Sequence, residues 1–187
     1  RRGWISPSCV ACRTGERSET FFISLACSRN CYFCFNPNQE RYEYFRTHVR
    51  DIAAELRQAK RAQVPLDHIA ITGGEPCLFP DELVGFVACA RELYPNSRIR
   101  LYTSGDGLDE ALLGRLAAAG LDEVRFSIKL EDERDVQGSL LALIGTAAER
   151  IADVMVEMPV IPGTDAEMEQ LLVRLDDLGV RGINLLE

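Results

Sequence analysis

Hydrophobic and polar positions along the chain fall into two alternating periods. Six short apolar runs, at residues 21–26, 69–72, 99–103, 124–128, 154–160 and 183–186, have the length of strands. Five longer stretches between them, near 44–61, 81–93, 109–119, 140–151 and 165–178, carry the period of helices, as Ile52, Leu56 and Ala59 do in the first. The punctuation agrees. Pro80 precedes Asp81 and Glu82 in a first turn, and Gly120 and Gly179 stand where left-handed caps end helices.

Strands alternating with helices predict right-handed βαβ units around a parallel sheet, either open and doubly wound or most of a barrel. In both, ligands gather beyond the carboxyl ends of the strands. Polar and glycine-rich features stand at those ends: Cys27 to Cys34, Gly73-Gly74-Glu75-Pro76, Thr103-Ser104-Gly105, Ser127-Ile128-Lys129 and Pro159 to Gly163. That placement points to an active site. No motif is duplicated, so the repeat belongs to the architecture. Residues 1–20, polar and broken by Gly3, Pro7 and Gly15, predict an irregular lead-in to a core domain over 21–187.

A length of 187 residues suits one domain with a sizeable core, and 47% hydrophobic with 27% charged residues is ordinary for a globular chain. No apolar run approaches the ~20 residues that span a bilayer, and the start does not resemble a signal peptide. A net charge of -8 argues against a broad nucleic-acid surface, which needs clustered lysine and arginine. The chain begins at Arg1 and stops at Glu187 straight after an apolar run, the pattern expected of a domain within a longer protein.

Seven cysteines suit disulfide pairing poorly, and three of them fall in Cys27-Ser28-Arg29-Asn30-Cys31-Tyr32-Phe33-Cys34. Such clustering reads as metal ligation in a reducing compartment, here taken as cytoplasmic. Three and two intervening residues on a turning loop let three thiolates converge on a soft metal centre, an iron–sulfur cluster or zinc. A four-iron cluster held by three thiolates keeps one iron open, as a catalytic metal needs. A zinc knot or a ferredoxin-like cluster fits the same spacing. Cys9 and Cys12 form a separate C-x2-C pair, either half of a second metal site or two unliganded thiols, and are not expected to ligate the same cluster. Cys77 and Cys89 fit small buried hydrophobes, and His48 and His68 lack ligand spacing to the cysteines.

With Phe33 before its third cysteine, the loop resembles the C-x3-C-x2-C signature of the radical S-adenosylmethionine (radical SAM) superfamily, and the later motifs follow in that family's order over about residues 21–187. The resemblance implies that Cys27, Cys31 and Cys34 hold a [4Fe–4S] cluster whose open iron chelates the amino and carboxylate groups of S-adenosylmethionine. Gly73-Gly74-Glu75 resembles the family's Gly-Gly-Glu: glycines let backbone approach a ligand, and the carboxylate can hold an ammonium. It implies contact with the cofactor's methionine amino group. Ser104 stands where relatives often carry asparagine, and its hydroxyl can bond ribose or carboxylate oxygens.

Ser127 and Lys129 share a face by the period of two, where activating enzymes of glycyl radical proteins often carry Asp-x-Lys. Lys129 is implied to pair with the cofactor carboxylate. Pro159-Val160-Ile161-Pro162-Gly163 is similar to the family's fifth-strand exit, where backbone groups, here at Ile161, border the adenine; Phe33 is implied to lie near it too. Glu157 departs from the arginine of relatives. Asn36-Pro37 is similar to the Cys-x-Asn-Pro of the activating enzymes.

The resemblance implies an α/β fold, a six-stranded parallel (β/α)6 partial TIM barrel. It also implies an oxidoreductase: one electron from the cluster cleaves the sulfonium to methionine and a 5′-deoxyadenosyl radical, which takes a hydrogen atom from a protein, peptide or small-molecule substrate. The implied electron donor is a flavodoxin or ferredoxin. Glycyl-radical activation stands beside peptide modification and methylation as the outcome. An electron-transfer or zinc-binding module is the reading from another class, and it would not need Gly73, Gly74, Glu75 or Lys129. The charges at 131–135 fit a solvated run.

Overall fold

The computed structural model describes residues 5–130 and 134–186. Among these residues six parallel strands form one sheet in sequence order: β1 Ser18–Phe22, β2 His68–Thr72, β3 Arg98–Thr103, β4 Glu123–Ser127, β5 Asp153–Pro159 and β6 Gly182–Leu186. Helices α3 Ile52–Arg61, α4 Pro80–Leu93, α5 Glu110–Ala119, α6 Arg134–Arg150 and α7 Asp165–Asp177 make the crossovers. The register runs Phe21 to Ile71, Ile71 to Leu101, Leu101 to Val124, Val124 to Val154, and Val156 to Ile183. This is the (β/α)6 partial TIM barrel.

Period-two alternation gives the sheet two unlike faces. Ile69, Ile71, Ile99, Leu101, Val124, Phe126, Val154 and Val156 face outward and are fully buried against Leu56, Leu83, Phe86, Leu113, Ile144 and Leu175 of the helices. Each such side chain contributes about 1.5–3 kcal/mol. The inner face carries Arg100, Tyr102, Glu123, Arg125 and Glu157 instead. Glu123, Arg125 and Glu157 offset one another in ion pairs, while buried Arg100 donates to the Ser8 carbonyl.

Three elements differ from the sequence reading. The first strand ends at Phe22, where pairing with Thr72 stops. Beyond it Ile23, Ser24 and Leu25 stay buried, and the Ser24 and Ala26 carbonyls bond to the β2 exit rather than to β2 itself. The first helix is divided into α2 Tyr42–Phe45 and α3. Between them Arg50 N donates to Ile23 O at 2.8 Å, and Leu25 N to Phe45 O at 2.9 Å, so the stretch runs beside the β1 exit. Asp51 then restarts the helix, its side chain accepting Ala54 N at 2.9 Å.

The third difference is in the lead-in, which contains helix α1, Pro7–Thr14. Ser6 caps it and Gly15, at φ 67, closes it in the left-handed region. Tertiary bonds hold it: Ser6 Oγ and Ser8 Oγ donate to the Glu123 carboxylate at 2.7 and 3.2 Å, and Arg100 Nη1 donates to Ser8 O at 3.0 Å. Eight residues with so little apolar patterning do not announce a helix; the buried charges of β3 and β4 make it one. The solvated run expected at 131–135 lies outside the described residues as far as its side chains go.

Glu123 also accepts Arg98 Nε at 3.0 Å and Arg125 Nε at 2.6 Å. Burial pushes its carboxyl up, but Arg125, Ser6 and Arg98 together hold it below the usual carboxylate range. Stability from this group is therefore present above the ordinary glutamate pKa of about 4.3 and is lost as pH falls through the lower, folded-state value. Glu123→Gln is expected to cost about 3 kcal/mol in denaturant unfolding, because buried guanidinium groups lose their counter-charge. It should also speed tryptic cleavage at Arg13 and Arg17 and remove the acid-side step in stability that the parent shows. An unchanged cleavage rate would mean that Glu123 does not hold α1.

Candidate active site

The loop leaving β1, residues 23–35, has no helix or strand of its own. Its root is bonded to the β2 exit: Gly74 N donates to Ser24 O at 3.0 Å and Glu75 N to Ala26 O at 2.8 Å. Nothing but glycine fits this approach. A Cβ on Gly74 would stand 1.8 Å from Ala26 O, and one on Gly73, at φ +128, 2.6 Å from Ser24 O. The two glycines thus admit the backbone of the cysteine loop, where the sequence suggested the approach of a ligand.

Farther along, the loop is tied down at two points. Ser28 Oγ and Arg29 Nε donate to Asp106 Oδ2 at 2.5 and 2.9 Å, and Arg29 Nη2 donates to Asp106 Oδ1 at 2.7 Å. Beyond the last cysteine, Asn36 Nδ2 donates to Gly73 O at 2.5 Å. So held, Cys27, Cys31 and Cys34 open on one cavity at the carboxyl ends of the strands, together with Phe33. Burial pushes the Cys27 thiol up, and negative charge on Glu75, Cys31 and Asp106 adds to this, against the Arg29 N–H. No three His, Cys, Asp or Glu side chains among the described residues close on a single ion.

Gly73, Gly74, Glu75, Ser104, Ser127 and Lys129 line the same cavity, so the structure brings together ten of the eleven residues singled out from the sequence. Ile161 is the exception; it lies past the end of β5 and off the wall.

Glu75 behaves differently from the expectation that its carboxylate meets an ammonium. It is 1% exposed, and its two oxygens accept four protein donors: Cys77 N at 3.0 Å, Thr103 Oγ1 at 2.7 Å, and Ser104 N and Oγ at 2.6 Å each. A carboxylate has about four acceptor positions. All are taken, and the side chain bolts the β2 exit to the β3 exit.

Lys129 is the opposite case. It is 6% exposed, makes no hydrogen bond or ion pair among the described residues, and lies 6.0 Å from the centre of the Phe33 ring. An isolated buried ammonium costs several kcal/mol. Facing the cavity, it is placed to receive an anion.

Sequence reading missed the inner wall. Tyr102, Arg125 and Glu157 line the cavity below the cysteine loop, with Arg125 Nη1 donating to Glu157 Oε1 at 3.0 Å. Their signal was the polar half of the alternation on β3, β4 and β5. Arg125 Nη2 also reaches Cys9 Sγ at 3.2 Å, which places the C-x2-C pair beneath this wall and outside the three-cysteine loop. Cys77 and Cys89 are buried, and burial pushes both thiols up. His48 is exposed and stacked on Tyr44, ring centres 3.9 Å apart; His68 lies on β2.

Comparison with known proteins adds the following. A protein from Methanocaldococcus jannaschii named as a proposed glycyl-radical enzyme activating enzyme is 27% identical over 186 residues, covering 96% of this chain and 49% of its own. PqqA peptide cyclase of Gluconobacter oxydans is 33% identical over 126 residues, 67% of this chain and 34% of its own. The chain thus spans half or less of these relatives. The crystal structure of Streptococcus suis SuiB bound to precursor peptide SuiA superposes with a TM-score of 0.72 at 14% identity, covering 95% of this chain and 41% of SuiB. The family model described as the radical SAM superfamily matches residues 21–175. The site sits inside that span, and the chain belongs to the radical SAM superfamily.

Proposed function

We propose that the chain is the catalytic core of an oxidoreductase that holds a [4Fe–4S] cluster on Cys27, Cys31 and Cys34 and S-adenosylmethionine in the adjoining cavity. The observation that carries this is Lys129, a buried ammonium without an anionic partner among the described residues, facing a cavity that three thiols also face. The residues fit the group: three soft thiol donors and a buried cation placed for a carboxylate line one cavity. When bound, the cluster and cofactor supply one-electron cleavage of the sulfonium and a radical able to remove hydrogen from substrate. The protein's part is to orient and to exclude water.

Roles within the cavity follow from the contacts. Lys129 holds the cofactor carboxylate. Glu75 acts through Ser104, whose backbone and hydroxyl it fixes at the β3 exit. Phe33 and Ser127 flank the cofactor, and Ile161 borders it through its backbone. A flavodoxin or ferredoxin supplies the electron, in the cytoplasm. The chain installs a glycyl radical on a partner protein, as the name of the Methanocaldococcus relative suggests. Modification of a peptide is the second reading, favoured by the names of PqqA peptide cyclase and of SuiB with its precursor peptide.

Anaerobic reconstitution should load about four irons through the three-cysteine loop, and reduction with S-adenosylmethionine present should release 5′-deoxyadenosine. Cys31→Ala should abolish the iron–sulfur absorption, whereas Cys89→Ala should leave it. A site satisfied by zinc, with no such absorption, would sink this reading.

Lys129→Met should weaken S-adenosylmethionine binding by one to two decades, the worth of one charge-assisted bond of about 1.5–3 kcal/mol, at unchanged iron content. Glu75→Gln should instead lower the unfolding midpoint, since an amide must turn a donor toward one of four donors; any loss of cofactor affinity should come with that destabilisation. Equal binding by the parent and Lys129→Met, measured by equilibrium dialysis, would displace the carboxylate from Lys129.

A further inference from the structure

The residues between the first two cysteines carry a feature that the family motif does not require. Arg29 and Asp106 form a two-pronged ion pair, Nε to Oδ2 at 2.9 Å and Nη2 to Oδ1 at 2.7 Å, with Ser28 Oγ donating to the same Oδ2. Arg29 Nη2 also approaches Ser104 O at 3.4 Å. The side chains are 13% and 29% exposed, so solvent screens the pair far less than it screens Arg17–Asp67, 56% and 54% exposed at the other end of β1. A fork matched to a carboxylate fixes direction as well as distance, which a lysine could not.

We propose that Arg29 and Asp106 are positioning residues: an ion-paired clamp that fixes the arc between Cys27 and Cys31 over Ser104 and tunes the electrostatic field at a cluster bound there. The inference rests on the cofactor reading above. The geometry runs without a break from the loop through Asp106 to the β3 exit, and from Ser104 through Glu75 to the β2 exit. The thiol-bearing arc is thereby coupled to the cavity wall. The pair also puts one charge of each sign beside the thiols. Cluster potentials respond to net charge and hydrogen bonding nearby. Neutralising Asp106 removes a negative charge and favours the more negative, reduced cluster. Neutralising Arg29 removes a positive charge and opposes reduction.

The test is an EPR-monitored redox titration of the reconstituted intact protein without S-adenosylmethionine, with iron content measured in parallel. Asp106→Asn should raise the midpoint potential, Arg29→Gln should lower it, and the double variant should return close to the parent. Asp106→Glu, which keeps the charge, should also stay close. A purely structural tie would move both single variants in one direction, and that result, or identical potentials throughout, would overturn the clamp. Iron loss in Asp106→Asn but not in Asp106→Glu would support it; iron loss in both would count against it. Failure of the parent itself to assemble an iron–sulfur cluster would instead overturn the cofactor reading, so the two ideas fail separately.

Discussion

One buried carboxylate organises the carboxyl ends of the strands. Glu75 gathers four donors from two strand exits, and charge-assisted bonds of this kind contribute about 1.5–3 kcal/mol each. Its own backbone N–H bonds Ala26 O, so the same residue also seats the root of the cysteine loop. Three exits, β1, β2 and β3, therefore meet at one side chain. Ser104, Asp106 and Arg29 inherit their positions from it. The loop that carries the thiols has no regular structure, and that junction, with the ties from Gly74, Asp106 and Asn36, fixes its height above the sheet.

The second constraint is the unlike character of the two sheet faces. The outer face is an apolar layer under helices, stable by burial alone. The inner face holds arginines and carboxylates that balance one another: Glu123 against Arg98 and Arg125, Asp153 against Arg98 and Arg181, Glu157 against Arg125. Helix α1 is held by the same network, through the Glu123 carboxylate and Arg100. Among the described residues the Lys129 ammonium makes no hydrogen bond or ion pair, and it faces the cavity. An unmatched buried charge is the feature by which a folded site anticipates a ligand of opposite sign.

Much of this was legible in the sequence because it is local. Strand and helix periods depend on which residues are neighbours along the chain, and all six strands and three of the five crossover helices were found within a few residues of their limits, while α3 and α6 begin well away from the predicted starts at 44 and 140. The three thiols, the glycine pair and Lys129 were visible for the same reason: each follows a strand by a few residues, and parallel topology sends all such exits to one end. The period of two alone placed Ser127 and Lys129 on one face.

What the tertiary structure decided is where each group turns once distant segments meet. The sequence presents Glu75 as a carboxylate beside glycines; only the approach of Thr103 and Ser104, nearly thirty residues on, shows that its oxygens are engaged. The glycines look made for a ligand until the Ala26 carbonyl is found where a Cβ would be. Helix α1 is marginal by its own pattern and is fixed by Glu123 and Arg100, about a hundred residues away. Arg29 and Asp106, 77 positions apart, give no local sign of each other. The sequence by itself determined the order of elements and the chemistry at their ends, since those follow from short-range sterics and burial. Pairings between polar groups were decided by the fold, because such bonds are short-ranged in space and indifferent to separation along the chain.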